Sequence, residues 1–162
     1  KTVLIVYPRS SASDAYTIPD TVKEIGTAAF KGSSSLASIT LPSSVSKIGM
    51  SAFSGCLNMK NATISGAVSR IDSRTFENCA GLQSINLPSS LTYIGLNAFE
   101  NCSSLKTVNY GGTEAEWKNV DIERYESSNG YLLSAKVNCT TDGIASPMIV
   151  PKGGTYKKKT MI

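Results

Sequence analysis

A 23-residue repeat constrains the fold of this chain more than any other feature of its sequence. Five segments begin at Ile18, Leu41, Ile64, Leu87 and Tyr110, each 23 residues after the one before, without insertion or deletion. Apolar residues fall at the same positions in each unit, and one unit of this length cannot bury them alone. Stacked units would place like residues on like, so the sequence predicts a solenoid with one continuous core.

The apolar columns and the C-terminal flank predict which side chains form that core. A Phe recurs once per repeat, and so does an Ile five residues before it. Trp117, the only Trp, is interpreted as a plug over the last repeat, with a ligand-stacking platform as the alternative. The predicted core residues are Phe30, Phe53, Phe76, Phe99, Ile48, Ile71, Ile94, Leu82, Leu105 and Trp117.

The last full repeat shows the local structure expected of each unit. Ile85 and Leu87 alternate with the polar Asn86, which is strand periodicity, and stacked strands of this kind would form a parallel sheet. Pro88 ends the strand because Pro cannot donate to a ladder. A second extended piece, a turn at Gly95 and a short helical turn over 97–102 are expected to complete the unit.

The repeat resembles the BspA-like leucine-rich repeat family, also called the Treponema pallidum type. Its unit reads approximately L-x-x-I-x-I-P-x-x-V-x-x-I-G-x-x-A-F-x-x-C, and residues 82–102, LQSINLPSSLTYIGLNAFENC, match it best. The resemblance covers 16–110, and the departures are Ser33, Ser65, Asp72 and Thr75 in the Cys, Pro, Gly and Ala columns. It implies an extracellular or cell-surface protein of a bacterium or mucosal protist, with adhesion as the role of some members.

The predicted fold is therefore a repeat solenoid, mainly β with short helical turns, built as a right-handed leucine-rich repeat stack. An open stack exposes core at both ends, so atypical terminal units are expected. We predict an N-terminal cap with a strand over Thr2–Tyr7 and a C-terminal cap with a strand over Tyr131–Val137. The predicted units are a cap at 1–17, repeats at 18–110 (18–40, 41–63, 64–86 and 87–109), a cap at 111–143, and an unassigned tail or further module at 144–162.

Charge and hydropathy exclude two classes of partner. The net charge is +4, and Lys152 and Lys157–Lys159 carry that excess in a tail expected to be solvated, so no basic face for nucleic acid is predicted. No run of about 18 apolar residues occurs, so no membrane insertion is predicted. The chain starts without Met, so we expect either a piece of a larger parent chain with other domains or a mature form whose leader has been removed.

The sequence offers little catalytic chemistry. It contains no His, which removes Ser–His, Cys–His and most zinc-hydrolase arrangements. Glu114 and Glu116 are interpreted as a solvated face of the cap rather than an acid–base pair. The prediction is a protein that is not an enzyme and that needs no cofactor or metal.

Three of the four cysteines share one repeat column. Cys56, Cys79 and Cys102 would stack one rung apart with parallel side chains, which suits neither a disulfide nor a tetrahedral metal site. A ladder of buried free thiols is the expectation. Cys139 stands apart and is interpreted as free, with a bond to Cys102 as the alternative.

The outward positions of the predicted parallel sheet are the candidate binding surface. They form small, polar, uncharged ladders that can hydrogen-bond an extended peptide or a glycan, or can simply face solvent. The candidate residues are Thr17, Ser38, Thr40, Asn61, Thr63, Ser84, Asn86, Thr107 and Asn109. A weaker alternative lies on other flanks, at Lys60, Arg70, Arg74, Tyr93 and Lys106.

Two functional hypotheses remain. The first is a secreted or cell-surface module for protein or glycan recognition, with adhesion to a host or microbial surface as its role. The second is a structural spacer that binds nothing and presents another domain of a larger surface protein.

Overall fold

The computed structural model describes residues 2–4, 6, 14–125, 128–141 and 144–148, of which 141 and 144–148 are described by backbone alone. Short strands dominate, as the repeat predicts. The strands are β1 (Val3–Leu4), β2 (Ala15–Thr17), β3 (Glu24–Ile25), β4 (Ser38–Leu41), β5 (Lys47–Ile48), β6 (Asn61–Ile64), β7 (Arg70–Ile71), β8 (Ser84–Leu87), β9 (Tyr93–Ile94), β10 (Thr107–Tyr110), β11 (Asp121–Ile122), β12 (Lys136–Thr141) and β13 (Ile144–Met148). The helices are α1 (Glu114–Lys118) and α2 (Gly130–Ser134).

One face of the solenoid is a seven-stranded sheet, here called the main sheet, in the order β13-β12-β10-β8-β6-β4-β2. Its strands are parallel from β2 to β12, and β13 adds to β12 in the antiparallel sense. Ile39 lies beside Ala62, and Ala62 beside Ile85, so the register follows the 23-residue repeat. The predicted parallel-strand solenoid of about four turns is confirmed.

A stack of phenylalanines fills the centre of the solenoid. The ring centroids of Phe30 and Phe53 are 5.1 Å apart, those of Phe53 and Phe76 5.1 Å, and those of Phe76 and Phe99 5.3 Å. All four rings are fully buried. The spacing of the rings matches the spacing of the strands, because each repeat contributes one ring and one main-sheet strand.

The residues on either side of each core Phe form tight turns, although the sequence predicted a short helical turn there. Asn97 and Asn101 both have left-handed backbone angles, with φ near 58°, which interrupts a helix. Alternate amides in the turn donate to the following rung instead, as from Phe76 N–H to the Ala98 carbonyl at 2.8 Å. The third face is thus a ladder of hydrogen bonds between rungs, and the helical expectation for 97–102 is wrong.

The second face of the solenoid is split into two sheets, β1-β3-β5 and β11-β9-β7. The split coincides with Asp72, which stands where the other repeats have Gly. A Cβ on Gly49 would lie 2.5 Å from the Thr27 nitrogen, and one on Gly95 would lie 2.7 Å from the Ser73 nitrogen. Because Asp72 carries the Cβ that this close approach excludes, its rung cannot close onto the rung before it, and β5 and β7 do not pair.

We expect Asp72→Gly to raise the free energy of unfolding by about 1 kcal/mol. Closing the split would add two backbone hydrogen bonds at about 1 kcal/mol each, less the flexibility of glycine and an exposed ion pair to Arg70. Urea unfolding measures the gain, and hydrogen exchange should slow at residues 69 and 72. Asp72→Ala removes the carboxylate but keeps the Cβ, so an equal gain there would contradict the steric explanation.

The ends of the stack differ in part from the expectation. The predicted strand over 131–137 is wrong, because α2 occupies Gly130–Ser134 and the strand begins only at Lys136. The short apolar run there is compatible with a helix as well as with a strand, and in α2 it buries Leu132. At the other end, the described part of the predicted strand forms β1, which pairs with β3 on the second face. Residues 5, 7 and 149–162, including the Lys-rich tail, lie outside the described residues.

Candidate functional site

The main sheet presents two parallel columns of outward side chains, here called the polar face. The strand register places them one rung apart, in step along the stack. The first column is Ala15, Ser38, Asn61, Ser84, Thr107 and Lys136; the second is Thr17, Thr40, Thr63, Asn86, Asn109 and Asn138. Each of the nine predicted candidates is exposed or half-exposed and lies on this face.

Side-chain hydrogen bonds connect the second column along the stack. The side-chain amide of Asn86 donates to the Thr63 hydroxyl at 2.9 Å, and the side-chain amide of Asn109 donates to the side-chain oxygen of Asn86 at 2.8 Å. The Asn138 amide continues the chain to Asn109 at 2.8 Å. These bonds hold the amides in one orientation, which restricts their rotamers before any ligand arrives.

The side-chain amides of this column keep some hydrogen-bonding capacity beyond the bonds that they make to one another. An asparagine amide has two donor hydrogens and an oxygen with two acceptor lone pairs. In Asn86 and Asn109 the hydrogen bonds to neighbouring rungs use one amide hydrogen and one acceptor position of the oxygen. Each of these side chains therefore offers a further donor and a further acceptor, repeated at the spacing of the strands, to a ligand that lies along the stack.

Asn138 belongs to the polar face, although the repeat did not predict it. It follows Asn109 by 29 residues rather than 23, because the C-terminal cap lengthens the connection. A repeat projected at a fixed period therefore misses it. The alternation Lys136, Asn138, Thr140 around the buried Val137 and Cys139 is the sequence signal that could have found it.

The other residues singled out in the sequence have structural contacts. Trp117 is buried on α1, with its ring tilted against Tyr110 at 5.2 Å, the position expected of a plug. Glu116 closes a capping box with Thr113, and hydrogen bonds from Thr113 lower the pKa of its carboxyl. Glu114 pairs with Lys118 at 2.6 Å. These glutamates stabilise the short helix.

The alternative flank is dispersed over the molecule. The Arg70 guanidinium lies 3.8 Å above the Tyr93 ring, and Arg74 pairs with Glu77 at 3.7 Å on the third face. Lys60 and Lys106 are exposed just before their main-sheet strands. These residues do not form one surface, so the polar face is the stronger candidate.

The four cysteines are free and buried. The thiols of Cys56, Cys79 and Cys102 each donate to the carbonyl of the Phe one rung earlier, at 3.1 Å in every case. Burial raises the pKa of Cys102 to about 12. Within the described part of the chain, no three His, Cys, Asp or Glu side chains come together as metal ligands.

Comparison with protein families gives one match over most of the chain. Residues 9–121 match the BspA type leucine-rich repeat region in six copies, so the match extends beyond the four repeats read from the sequence. Comparison with curated protein sequences gives no significant match. No helix among the described residues has the length and apolar character needed to cross a membrane.

Several solved structures share the fold. A leucine-rich cell surface protein of Faecalibacterium prausnitzii is 30% identical with a TM-score of 0.58, covering 76% of this chain and 38% of that one. The Treponema pallidum leucine-rich repeat protein is 31% identical with a TM-score of 0.62, covering 70% and 57%. The pneumococcal vaccine antigen PcpA, at 24% identity and TM-score 0.65, shows the fold alone, over 68% of this chain and 27% of that one.

This chain thus spans between about a quarter and just over half of those proteins. The matched repeats occupy more than half of its own residues, and the described strands stack as that repeat requires. The chain belongs to the BspA-type leucine-rich repeat family.

Proposed function

We propose that this chain is a recognition module of a cell-surface protein and that it binds a protein or glycan through the polar face. The observation that carries the proposal is the chain of hydrogen-bonded amides from Thr63 to Asn138, which leaves oriented donors and acceptors toward solvent. The similarity of this chain to a leucine-rich cell surface protein supports an extracellular or surface location. Adhesion to a host or microbial surface is the role that we propose for it.

The chemistry of the face favours an uncharged, extended ligand. All the side chains of both columns are neutral except Lys136 at one end. Sugar hydroxyls and peptide groups can each donate and accept, as the amides do, and a flat strand-spaced array suits a linear polymer. Because little charge is involved, we expect binding to persist at high salt.

A binding panel tests the proposal. The purified chain is assayed against immobilised glycans and matrix proteins at low and high salt, and a saturable, salt-tolerant signal is expected. The double variant Thr40→Arg, Asn86→Arg should reduce that signal at least tenfold, because two long cations would cover the face and break the bond from Asn86 to Thr63.

The matched control is Ser43→Arg, Ser89→Arg. It adds the same charge at exposed positions two rungs apart, outside the polar face. Equal loss in both variants would contradict the assignment of the site, and so would normal binding by the Thr40, Asn86 variant.

The second candidate function is a spacer that binds nothing itself. It is favoured by the hydrogen bonds that the amides already make to one another, which use part of their capacity. No aromatic side chain of the kind that dominates binding energy lies in either outward column. Absence of binding across the panel would favour the spacer, and a saturable binding signal would exclude it.

A further inference from the structure

A depression of about 390 Å³ opens on the second face, where β5 and β7 fail to pair. Its lining includes Ser46 and Lys47 from one rung, Ser69, Arg70 and Asp72 from the next, and Glu24 from the rung before both. Ligand pockets range from about 300 to 1,000 Å³, so this volume suits one small ligand such as a single sugar unit. The depression is separate from the polar face.

Lys47 and Arg70 lie on the two strands that border the split. Lys47 pairs in register with Glu24, and Arg70 with Tyr93, so all four occupy one column of the second face. An anionic group between Lys47 and Arg70 would interact favourably with both cations. Arg70 is held in place by the Tyr93 ring at 3.8 Å and by Asp72, whose carboxylate lies 3.6 Å from the Arg70 Nε.

Backbone donors add to this site. On either side of the split, the equivalent backbone amides donate to carbonyl oxygens of the preceding rung. The Ser46 amide donates to the Lys23 carbonyl at 3.0 Å, and the Thr92 amide donates to the Ser69 carbonyl at 2.9 Å. Within the described chain, the Ser69 and Asp72 amides make no such bond. Their N–H groups are positioned at the gap, where a ligand oxygen can accept from them.

The two carboxylates limit what the depression can bind. Glu24 and Asp72 would repel a bare inorganic anion, but they can accept hydrogen bonds from hydroxyl groups. The lining therefore matches a ligand with one negative group and several hydroxyls. We propose that the depression binds a carboxylate-bearing sugar, with the carboxylate between Lys47 and Arg70 and its hydroxyls against Ser46, Ser69 and Asp72.

The test is an NMR titration of the intact chain with glucuronic acid and with N-acetylneuraminic acid. Both acids should shift the amide signals of Ser69, Arg70 and Asp72, with a dissociation constant on the order of millimolar. The double variant Lys47→Gln, Arg70→Gln should weaken binding by at least about tenfold. The control Lys60→Gln, Lys106→Gln removes the same charge at exposed positions elsewhere and should bind normally.

Asp72→Gly separates loss of the site from loss of the fold. It should close the split and abolish binding while the melting temperature stays level or rises. Glucose and sodium sulfate complete the design, and neither should shift these amides. An equal response to glucose would overturn the role of the carboxylate, and an equal response to sulfate would overturn the sugar. Absence of shifts with both acids at tens of millimolar would overturn the site itself.

Discussion

Phe76→Ala is expected to lower the free energy of unfolding by about 3 to 5 kcal/mol. Phe76 has a neighbouring ring on both sides, with centroids at 5.1 Å toward Phe53 and 5.3 Å toward Phe99. Removing it deletes two ring contacts and leaves a cavity that the rigid hydrogen-bonded rungs cannot close. Urea unfolding followed by circular dichroism measures the loss, which corresponds to roughly 6 to 20 °C in a melt.

Phe76→Leu is the graded control, because it keeps most of the volume and removes only the ring stacking. Its cost should be clearly smaller than that of the alanine variant. A melt of Phe76→Ala within a degree or so of the parent chain would contradict the assignment of Phe76 to the core.

Asn129→Ala should destabilise the chain by a similar amount, about 3 to 5 kcal/mol, although no apolar contact is removed. Asn129 is fully buried beside the last Phe. Its side-chain oxygen accepts from the Phe99 amide at 2.9 Å, and its side-chain nitrogen donates to the carbonyls of Gly95 at 3.0 Å and Glu123 at 2.9 Å. These bonds replace those that a further rung would make.

The backbone of Asn129 contributes as well. Its φ of 59° is left-handed, a conformation that Asn adopts at lower cost than Ala. Asn129→Gly keeps the backbone freedom and loses only the side chain, so it should cost about 1 to 2 kcal/mol less than Asn129→Ala. Hydrogen exchange at the Phe99 amide should accelerate in both variants. Unchanged exchange there would show that Asn129 does not cap the stack.

Much of the fold could be predicted because repetition averages out local ambiguity. The columns of Phe30 and Ile48 recur in every repeat, so one face of the solenoid and its core followed from spacing alone. Left-handed backbone was readable in one turn column, where Gly32, Gly55, Asn78 and Asn101 stand. The other left-handed column is Ala28, Ser51, Arg74 and Asn97, in which three of the residue types give no such signal.

What the sequence could not predict depends on single residues that break the repeat. Asp72 was recognisable as a departure from Gly, but only the close approach of Gly49 and Gly95 to the preceding rung shows that it splits a sheet. Asn129 caps a rung from 30 residues away, through contacts that no local pattern encodes. The polar face was predictable as a set of columns, whereas its hydrogen-bonded continuity through Asn138 required the register of β12.

The cysteine column has a consequence for the oxidation chemistry of the protein. Cys56, Cys79 and Cys102 project in parallel, and each thiol is occupied by a Phe carbonyl at 3.1 Å. The raised pKa of Cys102 keeps it in the unreactive thiol form at neutral pH, since the thiolate is the nucleophile. All three side chains are also fully buried, so an oxidant reaches one of these thiols only when its own rung opens. Oxidation of these three cysteines would then record local unfolding of the stack rather than cause it.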